Sequence, residues 1–263
     1  MSEPLAERIR PKTLDEVVGQ QHILGAGKPL RRIIENGHIP NMIFYGSSGI
    51  GKTTVASIIA SQTNMTLHIL NGTQAGVSDI RSVIADVGTF AGMNGILLYL
   101  DEIQYLNKKQ QQSLLSYIEK GDITLIASTT ENPYFAVYNA VISRCTVFEF
   151  KPVDSSEMEK AVIRAFAKAG ENFQSPLFIE DGVTAHIAQG SGGDVRKAMN
   201  AVELCVLSAE PDTDGLHISL ELAQMIVTVT IISTFCPPCK SPFVGVTKMQ
   251  RCIMPPDCWK LVI

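Results

Sequence analysis

Gly46-Ser47-Ser48-Gly49-Ile50-Gly51-Lys52-Thr53 constrains the fold of this chain more than any other stretch. It matches the pattern G-x-x-x-x-G-K-[ST], which carries chemistry only where a strand turns into a helix. The flanks fit that context. Met42–Tyr45 is a short apolar strand, and Thr53–Ala60 has helical spacing. The glycines let backbone N–H groups curl around phosphate oxygens, and the helix N-terminus adds its positive dipole end. Lys52 is expected to reach the β- and γ-phosphates of a nucleotide, and the Thr53 hydroxyl to bind Mg²⁺. Thr54 completes the nucleotide-contacting stretch.

Further strands alternate with helices. Leu67–Leu70, Ile96–Leu100, Ile123–Ala127 and Val147–Phe150 read as strands, and Ser78–Phe90 and Lys108–Ile118 as helices. Strands separated by helices imply a parallel sheet covered on both faces. Ile96–Leu100 is uniformly apolar, as a buried parallel strand should be, and ends in Asp101-Glu102. Ligands of parallel sheets bind at the carboxyl ends of the strands. Asp101 is therefore expected in the Mg²⁺ shell, and Glu102 is expected to orient and deprotonate an attacking water. Ile123–Ala127 runs into Ser128-Thr129-Thr130, where a hydroxyl can meet the γ-phosphate or the water. Arg144 follows a short helical stretch and can reach the nucleotide of a neighbouring subunit. Arg196 opens a later helix behind Gly192-Gly193-Asp194, and can fold back onto the γ-phosphate.

After Lys151-Pro152 the strand signal stops. Glu157–Ala169, Asp181–Ala188, Asp194–Ser208 and Leu220–Met225 read as helices, with Asp194 a candidate cap. The expected organisation is an α/β nucleotide-binding domain over 1–153, a small all-α lid over 154–224 and a foreign tail over 225–263. The net charge of −4 gives no support for nucleic-acid binding, so any DNA contact must come from a local basic patch. The N-terminus lacks a signal-peptide pattern and no run of 18 apolar residues occurs, so a cytoplasmic protein with no membrane partner is expected.

The ordered series GSSGIGKT, LLYLDE, IASTTENP, SRC and GGDVRKAMNAVE resembles the clamp-loader branch of the AAA+ ATPases. Within that branch it is most similar to the replication-associated recombination protein A (RarA/MgsA) family. The specific marks are Pro4–Pro11, Val18-Gly19-Gln20-Gln21-His22 and Thr129-Thr130-Glu131-Asn132-Pro133, within a resemblance over roughly residues 3–224. The resemblance implies a P-loop AAA+ fold that binds ATP with Mg²⁺ and hydrolyses it. Lys52 and Thr53 are then Walker A, and Asp101 and Glu102 Walker B. Thr130 or Thr129 is sensor 1, Arg144 the trans-acting finger and Arg196 sensor 2. Val18 and Gln20 resemble the segment lining the adenine pocket. The family acts on DNA at gaps, ends and stalled forks, as a homo-oligomer, with single-strand-binding protein as a partner. Ser47-Ser48 departs from the Pro-Pro common among relatives, a change the loop geometry tolerates. A clamp-loader subunit, a RuvB-like branch-migration motor and a nucleotide binder without turnover remain as alternatives.

The tail departs from the family. Four of the chain's six cysteines (Cys236, Cys239, Cys252 and Cys258) lie in it, with Pro237-Pro238 and Pro255-Pro256. Read in the alternative codon frame, the tail permits a string resembling the family's region after the lid. Met225-Ile226, Met249-Gln250, Met254-Pro255 and Trp259-Lys260 leave no codon choice, and give the Asp, Ala, Ala and Glu that string requires. An out-of-frame tail is therefore expected, with the family's oligomerisation region lost and a largely monomeric, weakly active chain. A zinc site on Cys236-Pro-Pro-Cys239, Cys252 and Cys258 is the rival reading.

Overall fold

The structure is a computed structural model and describes residues 5–171, 176–212 and 215–235. Three short helices come first: α1 (Leu5–Arg8), α2 (Gln21–Leu24) and α3 (Pro29–Glu35). Five parallel strands follow: β1 (Met42–Tyr45), β2 (Thr66–Asn71), β3 (Ile96–Asp101), β4 (Ile123–Thr129) and β5 (Thr146–Glu149). They lie in the order β2-β3-β4-β1-β5. The connections carry α4 (Lys52–Thr63), α5 (Val77–Ala85), α6 (Lys108–Lys120), α7 (Pro133–Ala136) and α8 (Asn139–Ile142).

Strand parity sorts the core into two layers, because alternate side chains leave opposite faces of a sheet. Met42, Phe44, Leu97, Tyr99 and Ile126 pack with Val55 and Ile59 of α4. Ile43, Leu98, Leu100, Leu125 and Ala127 pack on the other face with Ile80, Val83, Leu114 and Ile118 of α5 and α6. Asp101 has the parity of Leu97 and Tyr99, so it ends β3 on the face that carries α4. Asn107 caps α6 by accepting from the Gln110 N–H at 3.0 Å, and Gly121 at φ 77° ends it.

The predicted helix over Ser78–Phe90 is shorter in the structure. α5 stops at Ala85, and Gly88 at φ 78° turns the chain before a short 3₁₀ segment at Phe90–Gly92. Turn chemistry outweighed the helical spacing of Val87.

The second domain is built on α9 (Ser155–Gly170), α10 (Val183–Gly190), α11 (Val195–Ser208) and α12 (Leu220–Phe235). It is not all-helical. β6 (Leu177–Ile179), β7 (Glu210–Asp212) and β8 (Gly215–Ile218) form a small sheet in the order β6-β8-β7. Each of these strands is three or four residues long, too short to display a period. α12 also runs past residue 225, where the sequence suggests a break. Ile226 and Val227 are buried in the second core, and the Thr228 and Thr230 hydroxyls donate back to the carbonyls of Gln224 and Ile226. Residues 236–263 of the expected tail, with their four cysteines, lie outside the described residues.

The N-terminal segment belongs in space to both domains. Leu5, 2% exposed, sits in the second core with Val202 and Phe166, and its N–H donates to Glu203 Oε1 at 3.0 Å. Removing that side chain should destabilise the second domain although Leu5 lies far from it in sequence. Leu5→Ala is expected to cost about 2–4 kcal/mol, read as a lowered urea midpoint. An unchanged midpoint would contradict the packing.

Candidate active site

Parallel strands end at a common edge, so β1, β3 and β4 bring the loop, the acids and the hydroxyls together. The Gly46 N–H donates to the Thr129 carbonyl at 3.1 Å, so the loop leaves β1 beside the end of β4. Lys52 then opens α4 and is 6% exposed. Its Nζ donates to the carbonyls of Gly46 and Ser47, each at 2.7 Å. Burial lowers the pKa of this ammonium below the ordinary lysine value. The carboxylates of Glu102 and Asp101 oppose that shift, and Arg196 adds to it. Four of the residues singled out in the sequence therefore share one electrostatic environment.

Asp101 is held by hydroxyls. Tyr99 Oη donates to Asp101 Oδ1 at 3.2 Å, and Ser128 Oγ donates to the same oxygen. Tyr99 Oη also lies 3.1 Å from Thr53 Oγ1. Burial, with Asp101 second, raises the phenol pKa well above its ordinary value, so Tyr99 stays a proton donor. Glu102 follows at φ 54°, ψ 56°, a left-handed backbone that a glutamate rarely adopts. Its N–H donates to Ser128 Oγ at 3.3 Å. Its Oε2 accepts from Gln104 Nε2 and from Thr130 Oγ1, the latter at 3.2 Å. Both donors fall on one oxygen, which leaves Oε1 as the acceptor for a water. Gly72, just after β2, supports this corner. Its N–H donates to the Asp101 carbonyl at 2.7 Å, and a Cβ there would overlap the Glu102 carbonyl oxygen.

The second domain closes onto the loop. The Val195 N–H donates to the Gly49 carbonyl at 3.0 Å, and Asp194 caps α11 by accepting from the Lys197 N–H at 3.1 Å. A cleft of about 840 Å³ lies between the domains. Ser48–Thr54, Asp101 and Glu102 line one wall, and Arg164, Arg196 and Met199 the other. The N-terminal segment Ala6–Lys12, with Val17 and Val18, covers it.

The structure separates several sequence expectations. Val18 lines the cleft, whereas Gln20 does not. Gln20, 4% exposed, spends its amide on the backbone of Lys151 and Ile50. Lys151 N donates to its Oε1 at 2.9 Å, and its Nε2 donates to Lys151 O at 2.6 Å and Ile50 O at 3.4 Å. Of the two candidate threonines, Thr130 reaches Glu102, while Thr129 is buried and accepts from the Glu131 N–H at 3.1 Å. Arg144 stands away from the cleft. It precedes β5, whose Thr146 pairs with Met42 at the start of β1, so it lies at the opposite end of the sheet from the loop. Its guanidinium pairs with Glu119 at 2.5 Å and donates to Ala140 O at 2.8 Å. Tyr99, Gln104 and Gly72 carry the site without having been singled out in the sequence. Only Tyr99 left a signal, its place two residues before Asp101 on the same strand face.

The donor set suits Mg²⁺. A hydroxyl and a carboxylate are hard oxygen ligands, and Mg²⁺ is held by one or two carboxylates together with substrate phosphates. Among the described residues no group of three or more His, Cys, Asp or Glu gathers as a metal cluster, and such a site needs none.

Residues 42–153 match the family described as "ATPase family associated with various cellular activities (AAA)", and the fold is of that P-loop class. Replication-associated recombination protein A of Bacillus subtilis (strain 168) is 39% identical over 223 residues, which is 84% of this chain and 52% of that protein. The protein of the same name from Escherichia coli (strain K12) is 38% identical over 219 residues, 82% of this chain and 49% of that protein. The Thermotoga maritima RuvB Holliday junction branch migration motor shares the fold, with a TM-score of 0.67 and 24% identity over 84% of this chain and 72% of that one. Over most of its length the chain is similar to the replication-associated recombination protein A proteins. It spans about half the length of the curated relatives it matches.

Gly49 tests the contact between loop and second domain. It has φ +73°, and a Cβ there would overlap the Asp194 carboxylate. Gly49→Ala is expected to weaken nucleotide binding about tenfold or more, from backbone strain and displacement of Asp194 together. A fluorescent-nucleotide titration checks this, and undiminished affinity would contradict it.

Proposed function

We propose that this chain binds ATP with Mg²⁺, hydrolyses it to ADP and phosphate, and works on DNA at replication forks. The observation that carries the reading is the gathering of Lys52, Thr53, Asp101, Glu102 and Arg196 on a single cleft between two domains. Similarity to the replication-associated recombination proteins supports the DNA role.

In this reading the backbone N–H groups of Ser48–Gly51 hold the phosphates, and the Lys52 ammonium leaves the loop carbonyls for them. Thr53 Oγ1 and Asp101 would hold the Mg²⁺, which would supply charge neutralisation for the phosphates. Glu102 takes a proton from the attacking water through Oε1, while Thr130 and Gln104 fix its other oxygen. Arg196, carried by α11, follows the γ-phosphate and couples its loss to movement of the second domain. Arg144 serves the cleft of a second copy, because it stands at the far end of the sheet from its own. DNA and single-strand-binding protein enter as partners by resemblance alone.

Lys52→Ala should abolish nucleotide binding. Glu102→Gln should retain it and lose turnover by about 100-fold or more. Binding by titration and phosphate release separate the two. Full turnover by Glu102→Gln would remove Glu102 from the role of base. The Arg144 assignment has its own check. Lys52→Ala and Arg144→Ala chains, each inactive alone, should recover turnover when mixed, since a mixed pair can build one complete site. Undiminished turnover by Arg144→Ala alone would contradict the assignment. Turnover and mass in solution, measured with and without DNA, test the fork reading for this 263-residue chain.

A further inference from the structure

The hydroxyl of the fully buried Tyr99 joins the two groups that would hold the metal. A phenol has one proton and Asp101 Oδ1 can only accept, so the Tyr99 proton goes to Asp101. Either oxygen could donate across the 3.1 Å contact between Thr53 Oγ1 and Tyr99 Oη, and with the Tyr99 proton on Asp101 the donor is Thr53. The Thr53 proton therefore points toward Tyr99, and both lone pairs of Oγ1 are free for a cation. Ser128 donates to the same Asp101 oxygen and accepts from the Glu102 N–H, which fixes the carboxylate from the other side. The geometry is dictated by the strand. Tyr99 and Asp101 share the sheet face that carries α4, and Thr53 is the second residue of α4.

We propose that Tyr99 is a positioning residue for Mg²⁺. Its hydroxyl relays between Thr53 and Asp101 and sets both in metal-binding orientation before nucleotide arrives. A phenylalanine would keep the packing in the core but leave the Thr53 hydroxyl free to turn its proton toward the cation, and would deprive Asp101 of a donor. The inference rests on the nucleotide-binding reading above.

The test is nucleotide affinity rather than turnover. A fluorescent ADP is titrated into the full chain in EDTA and then at graded Mg²⁺, with the melting temperature followed in parallel. For Tyr99→Phe the Mg²⁺ concentration giving half of the metal-dependent gain in affinity should rise about three- to tenfold, as the loss of one hydrogen bond of ordinary net strength implies. Affinity in EDTA should be unchanged. Thr53→Ala should lose most of the metal-dependent gain, and adding Tyr99→Phe to it should change little, because the relay then has nothing to orient. A Tyr99→Phe chain with wild-type Mg²⁺ dependence, whatever its melting temperature, overturns the proposal. So does an equal loss of affinity in EDTA and in Mg²⁺, which would mark a merely structural role. Failure of the wild-type chain to bind ADP under any condition would overturn both the nucleotide reading and this one.

Discussion

A buried ammonium cannot be left without partners, and Lys52 is the charge around which this site is arranged. Two loop carbonyls accept its protons, which is possible only because the loop curls back over the start of α4. Those carbonyls satisfy hydrogen bonds but do not neutralise the charge. Glu102 and Asp101 oppose the burial penalty from the end of β3, with β4 lying between β1 and β3. The two carboxylates are themselves restrained by hydroxyls and an amide, so their charge is directed rather than mobile. A phosphate entering the loop would meet a lysine already desolvated and acids already oriented. The protein has met that cost of order in folding, which is the sense in which a site is preorganised.

Restraint at one corner is passed on through short backbone contacts. Gly72 abuts the Glu102 carbonyl, and Val195 donates to Gly49. The first ties edge strand β2 to the left-handed turn at Glu102. The second ties the second domain to the phosphate loop without any intervening side chain. Movement of α11 is thus movement at the loop, and Arg196 lies one residue beyond the contact. The N-terminal segment adds a second bridge. Leu5 is anchored in the second core, Ala6–Lys12 roofs the cleft, and Gln20 is pinned to Lys151 and Ile50 of the first domain. Both bridges cross the cleft, so the two domains are joined at the phosphate loop and again through the N-terminal segment.

The loop, the acid pair and the parallel sheet were legible in the sequence because each is a local pattern with a local cause. A strand, a glycine-rich turn and a helix are contiguous, and a uniformly apolar run ending in two acids needs no partner to be recognised. What escaped depends on contacts between distant segments. Gln20 looks like a pocket residue by position, yet its amide is consumed by a backbone 131 residues away. Gly72 matters only because β2 ends beside β3. Leu5 belongs to the second core through Glu203 and Val202, which no window of sequence contains. The small sheet β6-β8-β7 pairs strands too short to show alternation.

α12 is the sharpest case of packing overriding local preference. Ile226–Thr230 is an unbroken run of five β-branched residues, which lose rotamer freedom in a helix. The chain is helical there because Ile226 and Val227 complete the core already begun by Ala223, against α10 and α11. Gly190 makes that approach possible, since a side chain there would overlap Val227. Thr228 and Thr230 soften the conflict by donating to carbonyls one turn back. Burial of two aliphatic side chains is worth about 3 kcal/mol or more. That exceeds the few tenths per residue by which β-branched side chains disfavour a helix over five positions. Tertiary packing therefore decides the conformation of a segment whose sequence, read alone, argues the other way.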